Sequence, residues 1–280
     1  MLRFTNSKIN LGLSITGKLD NGYHTLNTVM YPIAWGDILE IVESITGQTT
    51  LTITGRTVDC PFEKNLVIKA LRAIEEYIGQ ELPPIDIYLR KIVPDGAGLG
   101  GGSGDASAML HLINKFANLN LSDNALAQLA ASLGADCPFF IYDQPALATG
   151  IGTKITPIGI PAIEGKEILV VKPPVAVSTA QAYAGVDKYL DSNQLQPNIA
   201  EILHRPIAEW RDLLLNDFEK SVFAELPILA DIKHTLYELG ALYTSMSGSG
   251  SAIYGIFDPG TIPAKLPNQW DSYAQWIGRL

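Results

Sequence analysis

The stretch from Pro94 to Leu110, "PDGAGLGGGSGDASAML", holds six glycines within seventeen positions. It follows "IDIYLRKIV", which alternates like a strand, and it runs into residues that favour a helix. A glycine in ordered structure costs roughly 0.5–1 kcal/mol relative to alanine, so the run needs a reason. Glycines permit positive φ, which lets backbone N–H groups turn inward, and a helix start adds unpaired donors. The order strand, glycines, helix therefore predicts an anion cradle.

Other glycine-rich loops fit this stretch less well. A Walker A loop requires a Lys after its glycines, and none follows here. Residues 96–101 satisfy the letters GxGxxG, but the dinucleotide fold then needs a second strand ending in an acidic residue, where this sequence predicts another helix. The HRD and DFG signatures of protein kinases are absent. A flexible surface loop is the remaining alternative, and the proline anchor with an immediate helix disfavours it.

The composition limits the class of protein. The chain has 280 residues, 47% of them hydrophobic, a formal net charge of −9 and a pI of about 4.9. An acidic protein is attracted neither to nucleic acid nor to an anionic membrane, so we expect neither partner. The two cysteines, Cys60 and Cys137, show no metal-binding spacing. No apolar run is long enough to span a bilayer, and the first residues resemble a strand more than a signal peptide, so we expect a cytoplasmic protein.

Strands dominate the first third of the sequence, and helices and strands mix in the rest. The apolar positions of 65–79 form one helical stripe that ends at Gly79, and Ser122 is placed to cap a second helix. Because regular strand–helix alternation is lacking, we predict an α+β fold with a boundary in 150–165. Strands are predicted at 8–15, 37–43, 50–55, 85–93 and 166–172, turns and strands in 141–165, helices at 65–79, 105–119, 122–134, 194–214 and 227–239, and two strands in 241–257.

Three motifs, taken in order, resemble those of the GHMP kinases. "PDGAGLGGGSGDAS" resembles the second motif of that family, "SKINLGLSITGKLDNGYHTLNTVM" (7–30) its opening, and "SMSGSGSAIYGIF" (245–257) its third motif. "KNLVIKA", "GADCPFF", "STAQAY" and "LNDFE" fall in the expected order, so the resemblance spans nearly the whole chain. It implies a two-domain fold: an N-terminal ATP-binding domain of the ribosomal-protein-S5-like type (1–155) and a C-terminal ferredoxin-like α/β sandwich (156–280).

The resemblance also implies an activity, which is ATP-dependent phosphorylation of a small-molecule alcohol. The triple glycine and the Gly-Tyr-His triplet are similar to the corresponding motifs of one branch of the family. Enzymes of that branch phosphorylate the 2-hydroxyl of a cytidine diphosphate-linked methylerythritol in the non-mevalonate isoprenoid route. ATP and Mg²⁺ are then expected, with the metal held largely by phosphate oxygens, in a bacterial cytoplasmic monomer or weak homodimer. The alternatives are another family member, such as a mevalonate or homoserine kinase, and a catalytically silent nucleotide-binding module.

The catalytic residues implied by the resemblance are Lys8 and Asp136. Strand alternation puts Lys8 and Asn10 on one face, which by itself indicates a solvated sheet surface. Asp136 lies between a helix-ending glycine and a proline-aromatic run, where the alternative role is a helix cap. In phosphoryl transfer, Asp136 would accept the proton of the substrate hydroxyl, and Lys8 would keep that carboxylate ionised and stabilise the developing charge.

The binding residues implied by the resemblance form two sets. Tyr23 and Tyr183 would stack on cytosine, and His24 would form hydrogen bonds with the polar edge of the base. The alternative is that Tyr23 and His24 belong to a hairpin and only cover the edge of the core. The ATP set is Asn65 (otherwise a helix cap), Pro94, Asp95, Gly96, Ala97, Gly98, Leu99, Gly100, Gly101, Gly102, Ser103, Gly104 and Asp105, of which Ser103 and Asp105 are possible contributors to Mg²⁺ binding. The substrate set is Asn10, Tyr23, His24, Thr179, Tyr183, Ser247, Gly248, Ser249 and Gly250, and its last four residues would otherwise be a plain hairpin turn.

One position departs from the family pattern. The residue after "GGGS" is often Ser in the family, and here it is Gly104. The exchange removes a hydroxyl that could contact phosphate. Because backbone donors and Ser103 remain, we expect an altered nucleotide affinity rather than a lost activity.

Overall fold

A computed structural model describes residues 1–188 and 198–280. These residues form two compact units, each built from separate segments of the chain. Unit 1 comprises Met1–Ser7, Ala34–Asp95 and Gly100–Gln144, and unit 2 comprises Lys8–Ile33, Gly96–Leu99 and the described part of Pro145–Leu280. The predicted family domain boundary between 155 and 156 stays a prediction.

The elements are numbered in chain order. The strands are β1 (Leu2–Phe4), β2 (Ser7–Lys18), β3 (His24–Ile33), β4 (Ile38–Glu43), β5 (Thr50–Gly55), β6 (Ile85–Lys91), β7 (Ala146–Gly150), β8 (Lys154–Pro157), β9 (Glu167–Lys172), β10 (Tyr243–Met246), β11 (Ile253–Phe257) and β12 (Ala274–Arg279). The helices are α1 (Leu66–Ile78), α2 (Gly101–Phe116), α3 (Asp123–Leu133), α4 (Cys137–Tyr142), α5 (Thr179–Val186), α6 (Ile199–Leu203), α7 (Trp210–Leu213), α8 (Phe218–Glu225) and α9 (Pro227–Glu238).

Unit 1 packs helices against a four-stranded sheet with the order β1-β4-β6-β5. The pairings are antiparallel except β5–β6, which is parallel because α1 carries the chain across between these two strands. The core lies where the buried faces of the sheet, α1 and α2 meet. Fully buried members include Leu39, Ile41, Ile87, Ile74 and Met109. This core holds β6 and α2 together, and residues 92–100, with the first three glycines of the run, connect these two elements.

Helix α1 has the ends and the stripe that its sequence predicts. The Asn65 side chain caps it by accepting a hydrogen bond from the Val67 N–H at 2.9 Å. Gly79 ends it with a left-handed φ of 69°, a conformation that favours glycine. Leu71 and Ile74 are buried with Val67 along the stripe. The cap and the stop therefore follow from local sequence.

Unit 2 contains two four-stranded sheets. One has the order β2-β3-β7-β8, and β2 is buried on both faces from Lys8 to Ile15. The other is antiparallel with the order β10-β11-β9-β12. Numbered within this sheet, its order is 2-3-1-4, the arrangement of a ferredoxin-like sandwich. A single 3₁₀ turn, Asn268–Trp270, stands between β11 and β12 where that sandwich would carry its second helix.

The α+β prediction is confirmed, whereas several element boundaries were wrong. The helix predicted at 194–214 is divided into α6, a 3₁₀ turn at Ile207–Glu209 and α7, because Pro206 cannot continue a helix. Its first residues, 194–197, lie outside the described residues. Helix α2 begins at Gly101 inside the glycine run rather than at 105, α4 overlaps the segment assigned to turns and strands, and β12 was not predicted. In the described part of the chain, every helix is too short or too polar to cross a membrane.

Candidate active site

The glycine run has an alternating backbone. Gly96, Gly98 and Gly100 have left-handed φ angles of 59°, 72° and 69°, and the last of them is the N-cap of α2. The intervening Ala97 and Leu99 are 2% and 1% exposed. The buried side chains of Ala97 and Leu99 thus anchor a backbone whose left-handed turns only glycine adopts easily. Backbone segments of this kind form concavities that bind anions.

Within unit 2, the segment 96–99 meets the other two sequence motifs. The backbone N–H of Lys8 donates to the Leu99 carbonyl at 2.8 Å, and the Ser247 hydroxyl donates to the Gly98 carbonyl, also at 2.8 Å. The opening motif, the second motif and the third motif are therefore brought together in one unit. Sequence order alone could not show this, because almost 240 residues separate the outer two.

Gly98 is required by this close packing. A Cβ built on it would lie 1.9 Å from the Ser247 carbonyl oxygen. Because this oxygen belongs to the backbone, no change of a side-chain rotamer could relieve the clash. The same contact continues through the N–H of Ala252, which donates to the Ala97 carbonyl at 3.0 Å. Backbone packs directly against backbone here, so the glycine serves the approach of the two loops as well as the turn.

Lys8 is buried. It is 3% exposed, and its Nζ donates to Asn10 Oδ1 at 2.6 Å. Asn10 in turn donates to the Thr28 hydroxyl at 3.0 Å. The shared face of Lys8 and Asn10 is confirmed, and the solvated-surface alternative is wrong because β2 is covered on both sides. A Cβ on Gly248 would stand 3.3 Å from the Lys8 Nζ, which places the ammonium beside the third motif.

Asp136 lies in unit 1 at the N-cap position of α4. Gly134 ends the preceding helix, as predicted, and Pro138, Phe139 and Phe140 are buried after it. The carboxylate is half-buried at the edge of this apolar turn. Its predicted catalytic partnership with Lys8 stays a prediction.

A buried asparagine supports the third motif, and the sequence reasoning missed its role. Asn216 donates through Nδ2 to the carbonyls of Met246 and Gly248 at 2.8 and 2.9 Å, and its Oδ1 accepts from the Phe218 N–H at 3.0 Å. Nearly all of its hydrogen-bonding capacity is thereby used. Asn216 lies in the quoted "LNDFE" motif, but the motif did not indicate that this residue supports a loop.

The predicted polar substrate residues also approach one another. The hydroxyl groups of Thr179 and Ser249 are 3.3 Å apart. Thr179 is exposed at the start of α5, and Ser249 is half-buried in the third motif. This contact joins the start of α5 to the third motif within unit 2, and both segments belong to the predicted substrate set.

The predicted aromatic residues divide into a packed pair and an exposed ring. His24, 8% exposed, stacks on Tyr183 with ring centroids 4.8 Å apart, whereas Tyr23 is 63% exposed. His24 Nε2 lies 2.6 Å from Asp187 Oδ1, and Lys18 pairs with the other oxygen of that carboxylate. Hydrogen bonds from Lys18 and then His24 lower the pKa of Asp187. Sequence reasoning missed Asp187, which anchors the histidine.

A buried ion cluster in unit 1 was also missed. Lys91 Nζ lies 2.5 Å from Asp37 Oδ2 and 2.7 Å from Asp105 Oδ2, and all three side chains are at most 3% exposed. Burial raises the pKa of Asp105 to about 7, against the opposing influence of Lys91. The signal was available, because Lys91 shares the buried face of β6 with Ile87 and Leu89.

The rest of the predicted ATP set has mixed surroundings. Pro94 is buried, Asp95 is exposed, and the half-buried Ser103 forms a hydrogen bond with the Cys137 thiol. A Cβ on Gly104 would lie 2.5 Å from a backbone carbonyl oxygen, that of Asn6. The departure from serine at this position therefore has a packing reason in this chain.

The chain belongs to the GHMP kinase family. The family model of the GHMP kinases N terminal domain matches residues 65–144, and that of the GHMP kinases C terminal matches residues 190–274.

Relatives with individual names are similar over nearly the whole chain. The 4-diphosphocytidyl-2-C-methyl-D-erythritol kinase of Parabacteroides distasonis is 47% identical over 100% of both chains. That of Bacteroides fragilis strain YCH46 is 46% identical over 92% of this chain and 93% of the relative. A crystal structure of 4-(cytidine 5'-diphospho)-2C-methyl-D-erythritol kinase matches with a TM-score of 0.78 and 30% identity, covering 93% of this chain and 92% of that one. The Methanococcus jannaschii mevalonate kinase, at 14% identity and a TM-score of 0.73, shares the fold.

Proposed function

We propose that this chain is an ATP-dependent kinase that phosphorylates the 2-hydroxyl of 4-diphosphocytidyl-2-C-methyl-D-erythritol, giving the 2-phosphate and ADP in the non-mevalonate route to isoprenoids. The observation that carries the proposal is full-length identity of 47% to a kinase of that name. The meeting of three phosphate-site motifs around Lys8 in unit 2 supports the chemistry. The alternative of a mevalonate kinase has weaker support, because that likeness rests on 14% identity.

The proposed reaction uses two side chains of this protein. Asp136 accepts the proton of the substrate hydroxyl as its oxygen forms a bond to the γ-phosphorus, and the bond from that phosphorus to the β,γ-bridging oxygen breaks to release ADP. Lys8 stabilises the negative charge that spreads over the transferred group. Because Lys8 is buried, its charge lies where the dielectric constant is lower than in water. The attraction between the ammonium and the transferred phosphoryl group is therefore stronger there.

We propose that the triphosphate lies against the glycine run and the first turn of α2. The left-handed glycines and the free N–H groups of a helix start suit an anion. Mg²⁺ would accompany ATP and neutralise phosphate charge. Asp105 is a poor ligand for it, because this carboxyl is 2% exposed and already holds Lys91, while Mg²⁺ keeps several waters. Phosphate oxygens, with the Ser103 hydroxyl, are the fitting donors.

The cytidine moiety is assigned to the aromatic group of unit 2. Tyr183 and His24 supply a packed, polar-edged surface, and the exposed Tyr23 supplies a ring free to cover a base. Aromatic stacking with a few placed hydrogen bonds is a common way to bind a nucleobase. A mevalonate or homoserine substrate has no base, so this group distinguishes the main proposal from the family alternatives.

The test measures ADP release with purified 4-diphosphocytidyl-2-C-methyl-D-erythritol, ATP and Mg²⁺. We expect Asp136→Asn to lower kcat by roughly 10²–10⁴, the usual contribution of a general base. Asp271→Asn is the matched control, since Asp271 is exposed. A wild type that turns over mevalonate or homoserine faster would exclude the proposed substrate.

A second arm tests the cytidine site. Tyr23→Ala should raise KM for the cytidyl substrate while leaving KM for ATP unchanged. Equal background rates of ADP release in the wild type and Asp136→Asn would instead favour the silent nucleotide-binding module.

We further propose a bacterial cytoplasmic setting and a monomer or weak homodimer. Both cysteines of this chain are free thiols, which suits a reducing compartment. The two relatives at 46–47% identity come from Parabacteroides distasonis and Bacteroides fragilis, which are bacteria. Sedimentation at micromolar concentration tests the oligomeric state directly.

A further inference from the structure

A carboxylate at the end of α5 holds the histidine that the proposed function assigns to the base. Asp187 directly follows α5, and its Oδ1 lies 2.6 Å from His24 Nε2. The His24 side chain is 6% exposed and that of Asp187 is 32% exposed, so the contact lies at the boundary between the protein interior and solvent. Both residues belong to unit 2, and its folding brings the start of β3 to the end of α5.

Further contacts fix the orientation of the His24 ring. The ring stacks on Tyr183 with an angle of 21° between the two planes, and Tyr183 packs edge to face against the buried Phe218. Lys18 pairs with Oδ2 of Asp187, so both oxygens of the carboxylate are engaged. A flip of the imidazole would keep the stacking but would move Nε2 away from the carboxylate. The structure therefore favours one orientation of the ring.

The contact with Asp187 determines which ring nitrogen of His24 carries hydrogen. An ionised carboxylate only accepts hydrogen bonds, so the nitrogen that faces it must donate. Hydrogen bonds from Lys18 and then His24 lower the pKa of Asp187, which keeps this carboxylate ionised. In a neutral imidazole, a hydrogen on Nε2 leaves Nδ1 with a lone pair. Because Nε2 is engaged, Nδ1 is the nitrogen left for a bond to the base, and it can only accept.

An accepting nitrogen distinguishes the two common pyrimidine bases. Cytosine carries an amino group at C4, which donates hydrogen bonds, whereas the keto pyrimidines carry an accepting oxygen at the same position. An unprotonated Nδ1 can bond the amino group, but it would face the lone pairs of that oxygen. A polar group left unpaired on binding costs free energy, so this tautomer favours cytosine over uracil. The other tautomer would reverse the preference.

We propose that Asp187 is a positioning residue that makes the base site select cytosine over uracil, by holding His24 in the tautomer with hydrogen on Nε2. The proposal rests on the proposed function, because it takes His24 as the side chain that bonds the base. Asp187 acts through the imidazole and contacts neither the reacting hydroxyl nor the transferred phosphoryl group. The choice between pyrimidines is then made by a residue outside the predicted substrate set.

The kinetic experiment compares the cytidyl substrate with its uridine diphosphate-linked counterpart in the ADP-release assay. The wild type should prefer the cytidyl substrate in kcat/KM by roughly tenfold to a hundredfold, the usual effect of leaving a buried polar group unpaired. Asp187→Ala should lose most of that preference through a higher KM for the cytidyl substrate, because His24 can then adopt either tautomer. KM for ATP should be unchanged.

Lys18→Met is the matched control. It removes the cation from the same carboxylate and leaves the bond between Asp187 and His24 in place. The proposal expects this variant to keep the wild-type preference for cytosine. A preference lost equally in Lys18→Met and Asp187→Ala would assign the effect to surface charge and would overturn the inference.

A spectroscopic measurement reads the tautomer directly. Nitrogen NMR of the full chain with ¹⁵N-labelled histidine distinguishes protonated from unprotonated ring nitrogens, and the signals lost in His24→Gln identify His24. The wild type should carry hydrogen on Nε2 alone, and Asp187→Ala should show a mixture of tautomers. Both measurements are made at the same pH, so that they report the same state of the ring.

The outcomes separate the inference from the proposed function. A wild-type His24 with hydrogen on Nδ1 would overturn the inference, and so would an equal rise of KM for both pyrimidine substrates in Asp187→Ala, which indicates a purely structural role. In both cases the kinase function would stand. A wild type that turns over neither substrate would instead reject the proposed function and the inference together.

Discussion

Gly104 shows how a single missing side chain can have a structural cause. The family often has Ser here, and the sequence alone indicated the loss of a phosphate contact. In this chain the position is buried in α2, where a Cβ would meet the Asn6 carbonyl oxygen at 2.5 Å. Glycine in a helix is unfavourable by about 1 kcal/mol, so the close approach of these two segments must outweigh that cost.

Gly104→Ser should therefore destabilise the protein by about 1–3 kcal/mol, the usual range for overpacking. Gly102→Ala is the matched control in the same helix, because a Cβ there would lie 3.6 Å from Leu66 Cδ1, an ordinary contact. That variant should be neutral or gain up to about 1 kcal/mol from helix propensity. Urea unfolding of both variants checks the prediction, and a Gly104→Ser protein as stable as the wild type would contradict it.

Helix ends are the elements at which a structural role and a predicted binding role can fall on the same residue. Asn65 caps α1 through its side-chain oxygen, and the family resemblance also implies a contact with ATP. A cap is satisfied by several residue types, whereas an amide contact to a nucleotide is not. The two roles can therefore be separated by choosing the substitution.

Asn65→Ala should cost about 1 kcal/mol of unfolding free energy, because the Val67 N–H loses its partner. Asn65→Ser should retain most of that stability, since Ser is also a good N-cap. If the amide touches ATP, both variants raise KM for ATP; if Asn65 is only a cap, Asn65→Ser behaves as the wild type. Thermal unfolding and steady-state kinetics on the same preparations distinguish the two results.

The local elements of secondary structure could be predicted from the sequence, whereas the residues that support the candidate site could not. The cap and stop of α1, the Ser122 cap of α3 and the extended conformation of β2 depend on neighbours a few residues apart. Asn216 and Asp187 depend on partners far along the chain, so no local pattern marks their roles. Lys91 is intermediate: its burial could be read from period two, but its two carboxylate partners could not.

At the scale of the whole molecule, the pH dependence of stability combines groups with opposite signs. Burial raises the pKa values of Asp105, Asp143 and Asp217, so each binds its proton more tightly in the folded state. Their stabilising contribution is present at low pH and is lost as the pH rises through the folded pKa. Burial lowers the pKa of His111, whose contribution is complete above about 6.5 and is lost as the pH falls through its folded value.

These signs leave a window in which Asp105 dominates. Above pH 6.5 the His111 contribution changes little, because at most half a proton remains to be lost from the unfolded state, while Asp105, with a folded pKa of about 7, still loses most of its proton. The free energy of unfolding should therefore fall between pH 6.5 and pH 8, and Asp105→Asn should flatten that fall because an amide does not titrate. Asp271→Asn, at an exposed site, should keep the wild-type slope. Urea unfolding at half-unit steps checks this, and an equal slope in wild type and Asp105→Asn would show that Asp105 is ionised throughout the range, in which case the fall belongs to the general repulsion of a chain with net charge −9.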